Sequence, residues 1–122
     1  VLTIVDARAK GVKIAHMPAL DQTRKYYEVS FNNVTGEVLA TGDAARAALD
    51  RTIDLATAAL TAEMAGGMQR VLDITVQYAK TRKQFNTPIG QFQAVQHQCA
   101  DMLVFTESSR SAAYYAAYAM QE

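Results

Sequence analysis

Cysteine is almost missing from these 122 residues: Cys99 stands alone, so no internal disulfide can form and the usage suits a reducing compartment. Histidine is nearly as scarce. His16 and His97 lie far apart, and no metal site is expected. No grouping of Ser, His and Asp suggests a nucleophile. An excess of charge is lacking too, since 12 Lys and Arg balance 12 Asp and Glu, which leaves no electrostatic case for nucleic acid or an anionic membrane as partner. No apolar run is long enough to span a bilayer and no signal-peptide pattern opens the chain, so a cytoplasmic protein is expected. An initiator Met is also lacking. The chain opens inside an apparent strand and closes inside an apparent helix, and it reads as a fragment of a larger protein.

Proline is the scarcity that organises the rest. After Asp43 the chain is rich in Ala, Leu and Met, and Pro88 is the one proline in it. The expectation is therefore two long helices, about Asp43 to Arg82 and about Gln91 to Gln121, joined by a tight corner and running antiparallel. Asp43 is a good N-cap. Leu49, Ile53, Leu60, Met64, Val71, Leu72, Thr75 and Tyr78 recur at threes and fours and predict a buried stripe on the first helix, with Gly66 and Gly67 allowing a second close surface. Phe92, Val95, Cys99, Met102, Thr106, Ala113, Ala117 and Met120 predict the matching stripe on the second. Upstream, 1–5, 12–16 and 26–31 alternate as short strands, with Lys10-Gly11 as a turn. The predicted fold class is an α+β fragment: a short antiparallel β segment over 1–36, a linker over 37–43, and two long antiparallel helices of a bundle over 44–122.

The corner carries the candidate chemistry. Arg82 has two readings: an exposed cation in the last turn, favoured by the helix dipole, or a planar fork for a phosphate. Phe85 reads from its own chemistry as a plug of the corner in the core. Cys99 is expected buried and inert, Asp101 structural, and Tyr114, Tyr115 and Tyr118 packing residues.

Tyr78-Ala79, Arg82-Lys83-Gln84-Phe85, Pro88-Ile89-Gly90, Phe92-Gln93-Ala94-Val95-Gln96-His97 and Ala100-Asp101-Met102, in this order, resemble the signature of the acyl-CoA dehydrogenase family at the head of its C-terminal helical domain. Gly66-Gly67-Met68-Gln69-Arg70-Val71-Leu72-Asp73 extends the likeness upstream. The resemblance implies that the strands close the family's middle β-domain. It implies an FAD cofactor, with Arg82 reaching across a dimer to the pyrophosphate, Gln93 contacting the same cofactor and Phe85 lying beside the adenine portion. It also implies α,β-desaturation of an acyl-CoA thioester, same-fold subunits in a dimer or tetramer, and an electron-transfer flavoprotein among the partners.

Two positions depart from the family pattern. The catalytic glutamate that some members carry on the first helix falls here on Ala56, and Glu63, two turns on, is a weak substitute, so no catalytic residue is expected in this stretch. Where members show Asp-x-x-Arg over the CoA moiety, this chain has Asp54-Leu55-Ala56-Thr57; Asp54 is the candidate substrate contact and the arginine is replaced. Three readings stay open: part of an FAD-dependent acyl-CoA dehydrogenase, a non-catalytic helical partner subunit or interaction module of a heteromeric flavoprotein, and a related oxidase or hydroxylase.

Overall fold

The computed structural model describes residues 1–120, and the chain forms two compact units, Val1–Asp50 and a second from Arg51 onward. In the first, β1 (Leu2–Ile4), β2 (Val12–Met17), β3 (Tyr26–Phe31) and β4 (Glu37–Ala40) make two separate antiparallel pairs. β2 and β3 run in unbroken register from Val12 opposite Phe31 to Met17 opposite Tyr26, and Tyr27 meets His16 edge-on, ring centroids 5.5 Å apart. β1 pairs with β4, with a slip between Leu2 and Thr3. Residues 37–43, expected as a linker, are thus a fourth strand followed by the entry to a helix. Val38 and Leu39 favour extended backbone, and the short strand β1 offers them an open edge.

Gly11 makes the β2–β3 pair possible. Its φ of 98° is a region side chains rarely adopt, and its carbonyl accepts the Asn32 N–H at 2.9 Å. A Cβ at this position would stand 2.1 Å from the Asn32 carbonyl oxygen. Between the two strands, Asp21 Oδ1 accepts the Thr23 hydroxyl at 2.6 Å and the Thr23 N–H at 2.9 Å. These two bonds, the hydroxyl first, hold the Asp21 carboxyl below its ordinary value, with a smaller push from Arg24.

Helix α1 (Gly42–Thr81) begins in the first unit and continues through the second as 40 residues, roughly 60 Å at about 1.5 Å per residue. It starts one residue earlier than expected. Asp43 therefore lies in the first turn, where it complements the dipole, instead of capping the helix. Helix α2 (Gln93–Ala119) starts two residues later than expected because Ile89–Gln91 form a 3-10 turn closed by the Phe92 N–H on the Ile89 carbonyl at 3.1 Å. The end expected near Gln121 lies outside the described residues.

Within the second unit the helices meet along a seam with a strict alternation of threes and fours. On α1 its members are Ala58, Thr61, Ala65, Met68, Leu72, Thr75 and Ala79, half-buried or buried in every case. On α2 they are Val95, Cys99, Met102, Thr106, Ser109, Ala113, Ala116 and Met120. This is the heptad pattern of helices packed at a shallow crossing angle. The α2 stripe is close to the expectation; the α1 stripe is a correction. Ile53, Leu60, Met64, Val71 and Tyr78, expected inside, are exposed, whereas Leu72 and Ala79 are 6% and 5% exposed. Small side chains let the two backbones approach, and the bulkier ones are left on an outward face. The antiparallel course follows from the same contacts: Ala79 at the end of α1 lies against Gly90 just before α2, while Ala62 and Ala65 share a groove with Ala113 and Ala117. Arg110 crosses the seam to donate to Gln69 Oε1 and pairs with Glu107 at 3.0 Å, while Gln69 Nε2 donates to Asp73 at 2.8 Å.

Two outcomes are expected. Gly11→Ala should cost about 2–4 kcal/mol and strip hydrogen-exchange protection from β2 and β3, since it combines a strained φ with a backbone clash; protection equal to the parent would contradict this account. The Asp21 carboxyl should titrate in an NMR experiment below the ordinary aspartate value. A carboxyl lowered in the folded state stabilises its loop above the unfolded value and loses that contribution as pH falls through the folded one. An ordinary or raised titration midpoint would show that the Thr23 bonds do not form.

Candidate functional site

The corner between α1 and α2 is a miniature hairpin. β5 (Lys83–Gln84) pairs with β6 (Thr87–Pro88), Lys83 opposite Pro88 and Gln84 opposite Thr87, which leaves Phe85 and Asn86 as a two-residue loop. Both loop residues have positive φ, 52° and 63°, the geometry of a type I′ turn. Asn86 adopts it readily; Phe85 does so at a cost of order 1–3 kcal/mol, so the turn holds an aromatic ring where few sequences would place one.

Five further contacts lock this hairpin to the helix ends. The Ile89 N–H donates to the Arg82 carbonyl at 2.9 Å, and the Arg82 N–H still donates back to Tyr78 at 2.8 Å, so Arg82 is shared by helix and corner. Gly90 lies against α1: a Cβ there would come within 3.1 Å of the Ala79 carbonyl oxygen and 3.5 Å of its Cβ. Gly90 is therefore needed for close approach, and the positive-φ residues that turn the chain are Phe85 and Asn86. Finally, the Gln96 side-chain amide donates to the Gly90 carbonyl at 2.9 Å, and Thr87 Oγ1 donates to Gln91 Oε1 at 2.7 Å.

Arg82, Phe85 and Gln93 all belong to this corner. The Phe85 side chain is 90% exposed, which removes the core-plug reading, and its ring meets only the edge of Phe92, centroids 6.3 Å apart. Arg82 and Gln93 are exposed, and among the described residues neither side chain has a hydrogen-bond or ion-pair partner. Phe92 supplies no side-chain cap to α2, of which Gln93 is the first residue. The corner thus presents a guanidinium fork, an amide and an aromatic face around the open N-terminus of a long helix.

Asp54 is not brought to this place. It stands on α1 28 residues before Arg82, roughly 42 Å away along the helix axis at about 1.5 Å per residue, and it is exposed. Thr57, where an arginine was expected, turns its hydroxyl back onto the Ile53 carbonyl at 2.8 Å. Cys99, expected buried, is half-buried on the seam, and His97 is exposed. Among the described residues no group of three or more His, Cys, Asp or Glu could hold a metal ion, and no helix is long and apolar enough to cross a membrane. The contacts of Gln96 and of Gln69 with Arg110 were not foreseen; each is a single polar residue in helical text, and the 3-10 turn that Gln96 grips carries no sequence mark beyond Pro88 itself.

Comparison with known proteins bears on the same region. The family described as acyl-CoA dehydrogenase, C-terminal domain, matches residues 45–122. The chain is 51% identical over 70 residues to the acyl-CoA dehydrogenase FadE34 of Mycobacterium tuberculosis, covering 57% of this chain and 10% of that protein. It is 38% identical over 94 residues to the acyl-CoA dehydrogenase IpdE2 of Mycolicibacterium smegmatis, covering 77% of this chain and 27% of that one. Among solved structures, a variant of the Tcur3481-Tcur3483 steroid ACAD superposes on 98% of the chain with a TM-score of 0.85 at 34% identity, using 31% of its own length. PigA with FAD and proline superposes on 91% with a TM-score of 0.81 at 28% identity, using 30% of its length. The chain therefore spans less than a third of each of these proteins. A family match over residues 45–122, with a solved structure of the same fold over 98% of the chain, shows that it belongs to the acyl-CoA dehydrogenase family.

Proposed function

We propose that this chain supplies the flavin-contacting corner of an FAD-dependent acyl-CoA dehydrogenase that desaturates an acyl-CoA thioester between its α and β carbons. The observation that carries the reading is the outward presentation of Arg82, Phe85 and Gln93 from one locked corner, with the two polar side chains lacking partners in their own chain among the described residues. The residues suit the group. A guanidinium fork matches the oxygens of a pyrophosphate, an amide can donate or accept beside it, the uncapped helix end favours negative charge, and an exposed ring offers a face to an adenine. PigA, a neighbour in fold and sequence, is described with FAD bound.

When bound, FAD would supply the acceptor for the hydride that leaves the β carbon. The residues of this chain would hold and orient it: Arg82 and Gln93 at the pyrophosphate, Phe85 at the adenine. The family resemblance implies that the cofactor they hold is that of a same-fold neighbouring subunit, and the exposed apolar face of Leu60, Met64, Val71 and Tyr78 is suited to such packing. Removal of the α proton needs a carboxylate tuned as a base. Ala56 has none, and no residue of this chain is assigned that role.

A second reading, a subunit without its own chemistry inside a heteromeric flavoprotein, is favoured by one observation. Thr57 is satisfied by its own helix and offers no cation to a CoA phosphate near Asp54. Intact protein that retains flavin when purified alone, yet oxidises acyl-CoA only with a second chain added, would favour this reading over the first.

Replacing Arg82 by Ala in the intact protein should remove about 1.5–3 kcal/mol of charge-assisted bonding, a loss of roughly tenfold to a hundredfold in flavin affinity. Flavin absorbance of the purified variant after dialysis measures it. Retention equal to the parent protein would exclude Arg82 from the cofactor site.

A further inference from the structure

The two polar side chains directed at the cofactor come from different helices. Arg82 follows the last turn of α1, and Gln93 opens α2. Their relative placement is set by whatever ties the 3-10 turn Ile89–Gln91 to each helix. Toward α1 the ties are numerous: the β5–β6 pair, the Ile89 N–H on the Arg82 carbonyl, and Gly90 seated on Ala79. Toward α2 there are two besides the covalent chain, the Phe92 N–H on the Ile89 carbonyl at 3.1 Å and the Gln96 side-chain amide on the Gly90 carbonyl at 2.9 Å. The first closes the 3-10 turn itself; the second reaches from one turn inside α2 back across the bend.

From this geometry we infer that Gln96 is a positioning residue for the cofactor site: its amide clamps the first turn of α2 to the 3-10 turn and so fixes Gln93 relative to Arg82. The inference rests on the flavin reading above and extends it to a side chain that does not itself contact the cofactor. Gly90 is pressed directly onto Ala79 of α1, so a bond to its carbonyl registers α2 against α1 through a rigid point. Gln93 and Gln96 are three apart and lie on one side of the helix, so a rotation of the first turn that breaks the Gln96 bond also turns Gln93 away. The bond is solvent-exposed, and its contribution to overall stability is correspondingly small. Its effect belongs in cofactor affinity.

The test is Gln96→Met in the intact protein, a change that keeps side-chain length and helix propensity but removes the donor. Flavin dissociation constants and apoprotein melting temperatures are measured for the parent, Q96M, R82A and the exposed control Q98M. The expected result for Q96M is about a threefold to tenfold weaker flavin affinity with an unchanged melting temperature, while Q98M matches the parent. If Q96M also melts earlier, affinity is compared well below the lower midpoint, where both proteins are folded, and the loss must persist there. Flavin affinity unchanged in Q96M but weakened in R82A overturns the positioning role and leaves the flavin site intact. Affinity unchanged in both overturns the flavin reading and the positioning role together.

Discussion

The Arg82 carbonyl and the Ile89 N–H, 2.9 Å apart, close a corner on which the arrangement of both helices depends. This bond between residues seven apart closes a two-stranded ribbon, and its two-residue turn has positive φ at both positions. Asn86 meets that demand cheaply. Phe85 does not, and its strained backbone leaves its ring standing in solvent. Gly90 completes the constraint by letting the chain touch the last buried turn of α1.

From the corner onward, packing follows from side-chain size. The helices leave the bend close together, because Ala79 and Gly90 permit it, and the seam beyond is built from Ala, Thr, Ser and Cys with Leu72, Val95 and three methionines between them. Thr106, only 2% exposed, places its hydroxyl on the Met102 carbonyl at 2.8 Å and brings no unpaired group into the seam. A seam of small residues buries little apolar area per turn. The aliphatic and aromatic bulk sits instead on outward faces, including Phe105, Tyr114 and Tyr115 on α2, and a chain with so much apolar surface is suited to being covered.

The legibility of the sequence divides along the same line. The two helices, their antiparallel course and the corner were readable because Pro88 interrupts a long Ala-rich text. The α2 stripe was readable because Val95, Met102 and Met120 are apolar and fall on the seam. The α1 stripe was misread because the strongest hydrophobic periodicity, through Leu60, Met64, Val71 and Tyr78, belongs to the face pointing outward, while alanines one step away mark the true contact. The strand at 37–40 was taken for a linker since Thr35, Gly36 and Gly42 frame it as a turn, and a strand of four residues is defined by its partner more than by its own composition. Arg82, Phe85 and Gln93 could be named through family likeness alone. Their place at the corner was legible with it, whereas the contacts that lock the bend emerged from the fold.

A structure of the intact protein with its flavin bound would test most directly the proposal that this bend holds a dinucleotide belonging to a neighbouring subunit. The account predicts the Arg82 guanidinium and the Gln93 amide at hydrogen-bond distance, about 3 Å, from cofactor oxygens across a subunit boundary, with Phe85 against the adenine. A flavin bound elsewhere, with Arg82 and Phe85 in open solvent, would contradict it.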